Sequence, residues 1–148
     1  MTLEEKQQEI IEEFDIYDDW MDKYEYIIDL GKDLPKIEEN LKTEDRLIEG
    51  CQSRVWLAHR FADNKMHFSA DSDAIITKGI IGLLIRVLDH ESPEEIIKSD
   101  LHFIADIGLH EHLSPTRSNG LASMVKKLKM SALAELSKQK DGIRKYDC

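Results

Sequence analysis

Residues 55–70 read Val55-Trp56-Leu57-Ala58-His59-Arg60-Phe61-Ala62-Asp63-Asn64-Lys65-Met66-His67-Phe68-Ser69-Ala70. In the first arm Val55, Leu57, His59 and Phe61 alternate with Trp56, Ala58 and Arg60, the period of two that turns one set of side chains to a core and the other away. Asp63-Asn64-Lys65 interrupts the alternation, and Met66 to Ala70 resumes it. Asp and Asn tolerate the left-handed backbone that a tight turn requires, so the two arms predict a hairpin. Just upstream, Leu47-Ile48 is a further short apolar pair. The expectation is a small three-stranded antiparallel sheet, with Gly50-Cys51-Gln52-Ser53 connecting its first two strands.

Working outward, Asp71-Ser72-Asp73 follows the hairpin and predicts a cap, with carboxylates at the positive end of a helix running to about His90. Ile75, Ile76, Ile80, Ile81, Leu83, Leu84, Ile85, Val87 and Leu88 cover most of that helix's circumference, which marks it as the central packed element. Gly79 and Gly82 each cost about 1 kcal/mol of helix propensity relative to Ala, so a strand or loop backbone is expected to press close against them. On the other side of the hairpin, Thr2 to Glu5 has the form of a capping box, with Leu3, Ile10 and Phe14 at helical spacing after it. Asp18 and Asp19 can cap a second helix carrying Trp20, Tyr24, Ile27 and Ile28, with Gly31 placed to end it. Lys36 to Asp45 reads as irregular or as a short helical turn. Ser92-Pro93 and Ser114-Pro115 each start a later helix, the last one carrying Leu121, Val125, Leu128, Leu133 and Leu136. The fold class is therefore α+β, a small antiparallel sheet packed by helices. A single domain is expected over residues 1–136, with a mobile tail over 137–148 where the apolar pattern fades.

The 148 residues carry a net charge of −10, with 34% charged and 41% hydrophobic residues, a composition that folds around one core. Residues 1–50 hold 17 acids and 6 bases, against 13 and 14 in the remainder, so the excess negative charge sits in the first third. Nucleic-acid affinity rests on Lys and Arg displacing counterions, and this polarity argues against it and for a protein partner. The longest apolar run, Gly79 to Ile85, has 7 residues, far short of the roughly 20 needed to cross a bilayer. The acidic opening Met1-Thr2-Leu3-Glu4-Glu5-Lys6 lacks the basic and apolar regions of a secretory signal, so a cytoplasmic protein with no membrane association is expected.

Two cysteines make no disulfide framework and are read as free thiols. Gly50 permits a turn that a β-carbon would resist, and a tight connection projects Cys51 from a rigid sheet. An ordinary thiol with a pKa of about 8.5 is roughly 3 per cent thiolate at pH 7, enough for sulfur exchange with an activated partner and poor for unaided hydrolysis. Residue spacing leaves two readings of Cys51 open, a reactive thiol or a small buried hydrophobe. Cys148 ends a polar tail and reads as incidental. Arg117 falls near the start of the last helix, where a cation opposes the macrodipole at a cost of about 0.3 to 1 kcal/mol. A nearby anion would offset that, whether Asp73, another carboxylate or a thiolate at Cys51. His110-x-His112 with His102 matches no common metal-ligand spacing, and no metal site is expected. A Cys-His hydrolase or thiol transferase acting alone would need a His within reach of Cys51. His59 and His67 fall at strand positions instead.

Three stretches, Gly50-Cys51-Gln52-Ser53-Arg54-Val55-Trp56-Leu57, Asp71-Ser72-Asp73-Ala74-Ile75-Ile76-Thr77-Lys78-Gly79 and His112-Leu113-Ser114-Pro115-Thr116-Arg117-Ser118-Asn119-Gly120-Leu121, resemble in order and spacing the SufE family of sulfur-acceptor proteins in iron-sulfur cluster assembly. The resemblance spans roughly Leu3 to Leu136. It implies a fold like that of NifU-type scaffold proteins and a function as a sulfur carrier rather than a stand-alone enzyme. A SufS-type cysteine desulfurase would make a persulfide with its own pyridoxal phosphate, so this chain needs no cofactor. Cys51 would accept the terminal sulfur, stimulate the desulfurase and pass the sulfur to an iron-sulfur scaffold. The resemblance further implies that Cys51 is tucked toward an apolar cavity when idle, with Gly50, Gln52, Ser53, Asp73 and Arg117 holding or releasing its loop. A non-catalytic adaptor with a structural Cys51 is the remaining alternative.

Overall fold

The structure is a computed structural model that describes the backbone of residues 1–146 and the side chains of residues 1–139. Helices α1 (Leu3–Asp15) and α2 (Trp20–Lys32) come first, followed by 3-10 turns at Glu39–Leu41 and Glu44–Arg46. Strands β1 (Val55–Ala62) and β2 (Lys65–Ser72) form an antiparallel hairpin, and α3 (Ile75–Leu88), α4 (Pro93–Lys98), α5 (Phe103–Asp106) and α6 (Pro115–Tyr146) complete the fold. The α+β class stands.

The hairpin turns at Asp63 and Asn64, both with positive φ (55° and 61°), the left-handed pair that suits a two-residue turn between twisted strands. Its register pairs Val55 with Ser72 and Ala62 with Lys65. The expected third strand is absent from the described residues. Leu47-Ile48 makes a single bridge to Trp56, with the Ile48 amide on the Val55 carbonyl at 2.9 Å. Two apolar residues between a 3-10 turn and Gly50 are too few to extend a ladder. The outer edge of β2 is closed by other means: its outward amides at Met66, Phe68 and Ala70 donate to the Glu91 carbonyl, the Asp89 carboxylate and the Pro35 carbonyl. A sheet of two strands thus leaves few backbone groups without partners along that edge.

Thr2 and Glu5 form the reciprocal capping box on α1, and Asp19 caps α2 through the Asp22 amide. Leu3, Ile10, Phe14 and Ile27 are buried as their spacing requires. On α6 the inner face is Leu121, Met124, Leu128 and Ala132, while Leu133 is turned out. That helix continues past the fading apolar repeat to Tyr146, and Cys148 lies outside the described residues.

Helix α3 is buried along most of its length between β2 and α2. The backbone that presses on its glycines belongs to a helix, not to a strand or loop. A β-carbon on Gly79 would come within 2.7 Å of the Ile27 carbonyl carbon and nearer still to its oxygen, and one on Gly31 would stand 2.9 Å from the Gly79 nitrogen. Gly31 therefore does not end α2, which continues to Lys32; it is a packing residue in the crossing with α3. A β-carbon at Gly82 would be 3.4 Å from the Leu30 oxygen, close to ordinary contact.

These distances predict opposite outcomes for two chemically identical changes. Gly79→Ala should destabilise the protein by about 1–3 kcal/mol in urea unfolding, because overpacking outweighs the propensity gain. Gly82→Ala should be near neutral or stabilising by up to about 1 kcal/mol. Equal effects at the two positions would refute the close helix crossing.

Candidate functional site

The segment from Glu49 to Arg54 leaves the core through one pinned end and returns through another. At the first, the Ile48 amide bonds to the Val55 carbonyl at 2.9 Å. At the second, Arg54 N–H donates to Asp73 Oδ1 at 3.0 Å and Asp73 N–H donates to the Arg54 carbonyl at 3.3 Å. Asp73 thus holds the loop base. It does not cap α3, whose N-cap position is Ala74 without a side-chain cap. The carboxylate expected for the helix start is directed to a chain segment 19 residues upstream.

Gly50 has φ +91° and lies against α6, where a β-carbon would collide with the Ser123 side chain. Both observations exclude larger residues without a shift of the loop. The turn carries Cys51 to the flank of α6, where its Sγ lies 3.6 Å from the Gly120 carbonyl oxygen, so the thiol donates a weak hydrogen bond to the helix backbone. A β-carbon at Gly120 would stand 3.5 Å from Sγ, in ordinary contact with the sulfur. Cys51 is half-buried, and burial pushes its thiol pKa up from the ordinary value. In this position the sulfur is protonated and sheltered.

Cys51 faces a cavity of about 360 Å³ between the loop, the first turns of α3 and the start of α6. Ala74, Ile76, Ile80 and Met124 supply its apolar wall; Gln52, Ser53, Thr77, Ser114, Thr116 and Arg117 supply its polar rim. The N-termini of two helices border this space, and Arg117 adds a full positive charge. The Ser114 hydroxyl accepts from the Arg117 amide, which caps α6. No ion pair to Arg117 occurs among the described residues. The electrostatic character of the mouth therefore favours an anion, while the resting thiol is neutral. On its other side Cys51 borders a second, more open space lined by Leu47, Ile48, Ser123, Lys126, Lys127 and Met130.

The structure brings Cys51, Gln52, Ser53 and Arg117 to one cavity, with Gly50 behind the loop and Asp73 at its base. Asp73 and Arg117 do not pair. The sequence signal that marks Gly120 is the propensity cost of a glycine inside a helix, the same as at Gly79. Neither space bordered by Cys51 contains a histidine. His59 bonds to Glu135 at 3.0 Å, His102 bridges Asp106 and Glu4, and His112 stacks on Trp20. A Cys-His arrangement is thus lacking at Cys51 among the described residues.

Residues 8–132 match the model of the family described as SufE, Fe-S metabolism associated domain. The chain is 38% identical over 133 residues to an uncharacterized SufE-like protein of Rhizobium meliloti, covering 86% of this chain and 95% of that protein. It is 40% identical over 129 residues to another uncharacterized SufE-like protein, from Rhizobium etli, covering 84% and 87%. A hypothetical protein of Thermus thermophilus, solved in solution, shares the fold with a TM-score of 0.74 at 21% identity, over 89% of this chain and 96% of that one.

The sheltered thiol predicts a pH dependence. With a folded pKa above the unfolded one, Cys51 in a Cys148→Ser chain should react with iodoacetamide along a profile whose midpoint lies higher in the folded protein than in denaturant. Deprotonating it should cost stability as pH rises past the unfolded thiol's pKa. A folded midpoint at or below the unfolded one would contradict the burial.

Proposed function

Because the chain belongs to the SufE family, whose domain is associated with Fe-S metabolism, we propose that it is a sulfur acceptor in which Cys51 takes the terminal sulfur of a persulfide made by a SufS-type cysteine desulfurase. The observation that carries this reading is a half-buried thiol on a loop pinned at its base, in a cavity without a histidine base. Such a site is poorly equipped for hydrolysis and well suited to thiol exchange, which needs access, alignment and a thiolate more than a triad.

The transfer conserves electrons. Cys51 loses its proton to solvent or to the partner, and its sulfur attacks the terminal sulfur of the donor persulfide. The sulfur-sulfur bond of the donor breaks, the donor cysteine leaves as a thiolate and takes up a proton, and Cys51 becomes the persulfide. Nothing is oxidised overall. The pyridoxal phosphate needed to make the donor persulfide is the partner's. In the resting position Sγ faces Gly120, so the loop turns outward to meet a donor while the bonds at Asp73 and Val55 keep its ends in place. On return, the terminal sulfur enters the mouth bordered by Arg117 and two helix N-termini, where an anion is favoured and reductants are hindered. An iron-sulfur scaffold then receives the sulfur by a second exchange of the same kind.

Incubation of the chain with a SufS-type desulfurase and cysteine, followed by intact-mass measurement without reductant, should add one sulfur atom to Cys51. Cys148→Ser should keep the gain and Cys51→Ser should abolish it. No gain, or a gain that survives in Cys51→Ser, would overturn the proposal.

A further inference from the structure

The Cys51 site leaves unused three metal-ligating side chains elsewhere in the molecule. His67 on β2 and the consecutive pair Asp89-His90 after α3 offer one donor atom each, all within 4.8 Å of one another. We propose that His67, Asp89 and His90 form a binding site for a divalent transition ion of the zinc class, separate from the sulfur chemistry.

The backbone holds these residues together without a metal. Met66 N–H donates to the Glu91 carbonyl and His90 N–H donates to the Met66 carbonyl, both at 2.8 Å, which locks the turn after α3 onto β2. Lys6 Nζ donates to the Asp89 carbonyl at 2.8 Å and pairs with Glu91 at 2.8 Å, so its charge is already matched. Asp89 Oδ1 accepts the Phe68 amide at 2.8 Å, which orients the carboxylate and leaves Oδ2 directed at His90 Nε2, 3.3 Å away. That amide bond plays the part of an outer-shell partner for a carboxylate ligand. The two imidazole rings stand edge to face with centroids 4.5 Å apart. His90 is exposed and its φ is +64°, a left-handed conformation unusual for a non-glycine residue, and this turn aims its ring back at His67.

Two imidazole nitrogens and one carboxylate oxygen suit zinc, nickel, copper or iron better than magnesium or calcium. Ligands at about 2.0–2.2 Å from a tetrahedral zinc lie roughly 3.3 Å apart, so the three donor atoms, within 4.8 Å of one another, would draw closer on binding. Three protein ligands leave a fourth position for water or an incoming group. The site shares no lining residue with the cavity at Cys51.

The test uses the full untagged chain carrying Cys51→Ser and Cys148→Ser, so that thiols cannot bind the probe. Titration calorimetry with zinc chloride should show one equivalent bound at micromolar concentrations. Cobalt should give visible bands without thiolate charge transfer. His67→Gln and His90→Asn should each weaken zinc binding by about tenfold or more. Asn tolerates the left-handed backbone at position 90, which protects the turn. Chemical shifts caused by zinc should centre on residues 66–68 and 88–91. The proposal is overturned if the parent chain binds no zinc saturably, if either folded variant binds as the parent does, or if the shifts centre elsewhere.

Discussion

Between Gly31 on α2 and Gly79 on α3 there is no room for a methyl group, and the Ile27 carbonyl occupies the space a side chain at position 79 would need. Two helices in backbone contact cannot slide or rotate without collision, so α3 has one position against α2. Its remaining faces meet β2, α1 and α6. The first two turns of α3 are consequently a fixed wall, and Ile76, Thr77 and Ile80 form one side of the Cys51 cavity from it. A propensity penalty of about 1 kcal/mol per glycine is small beside the packing that this approach allows.

Against that wall the loop is held at two points and otherwise makes few bonds. Asp73 and Val55 fix where it leaves and enters the sheet; Gly50 lets it turn beneath Ser123; the thiol, packed against the core, has a backbone carbonyl as its hydrogen-bond partner among the described residues. A sulfur-to-carbonyl contact of 3.6 Å is a weak hydrogen bond. The same arrangement shelters a neutral thiol behind a weak polar contact, beside a mouth to which Arg117 adds positive charge.

Much of this was legible in the residues, and the failures have specific causes. The hairpin was plain because alternation and an Asp-Asn turn agree with each other. Leu47-Ile48 looked like a strand because an apolar pair has no periodicity to betray its true extent. Gly31 looked like a terminator because a capping glycine and a packing glycine are the same letter; only the partner helix distinguishes them. Asp73 stood at a cap position, yet its acceptor bond depends on where Arg54 falls after the hairpin closes. Cys51 stands out by its loop and Arg117 by a cation at a helix start, but only the motif resemblance gives them, Gln52 and Ser53 a shared role, since spacing alone leaves Cys51 open between thiol and hydrophobe. The Gly120 carbonyl carries no residue type; the propensity cost of a glycine inside α6 is the one sequence signal at that position.

An acceptor and an adaptor differ in their use of Cys51, because an adaptor would act on its partner without using the sulfur atom. The decisive measurement is cysteine turnover by a SufS-type desulfurase with a saturating amount of this chain, comparing wild type with Cys51→Ser under conditions where both bind. Wild type should raise turnover several-fold and Cys51→Ser should leave it at the basal rate. Equal stimulation by the two would contradict the account.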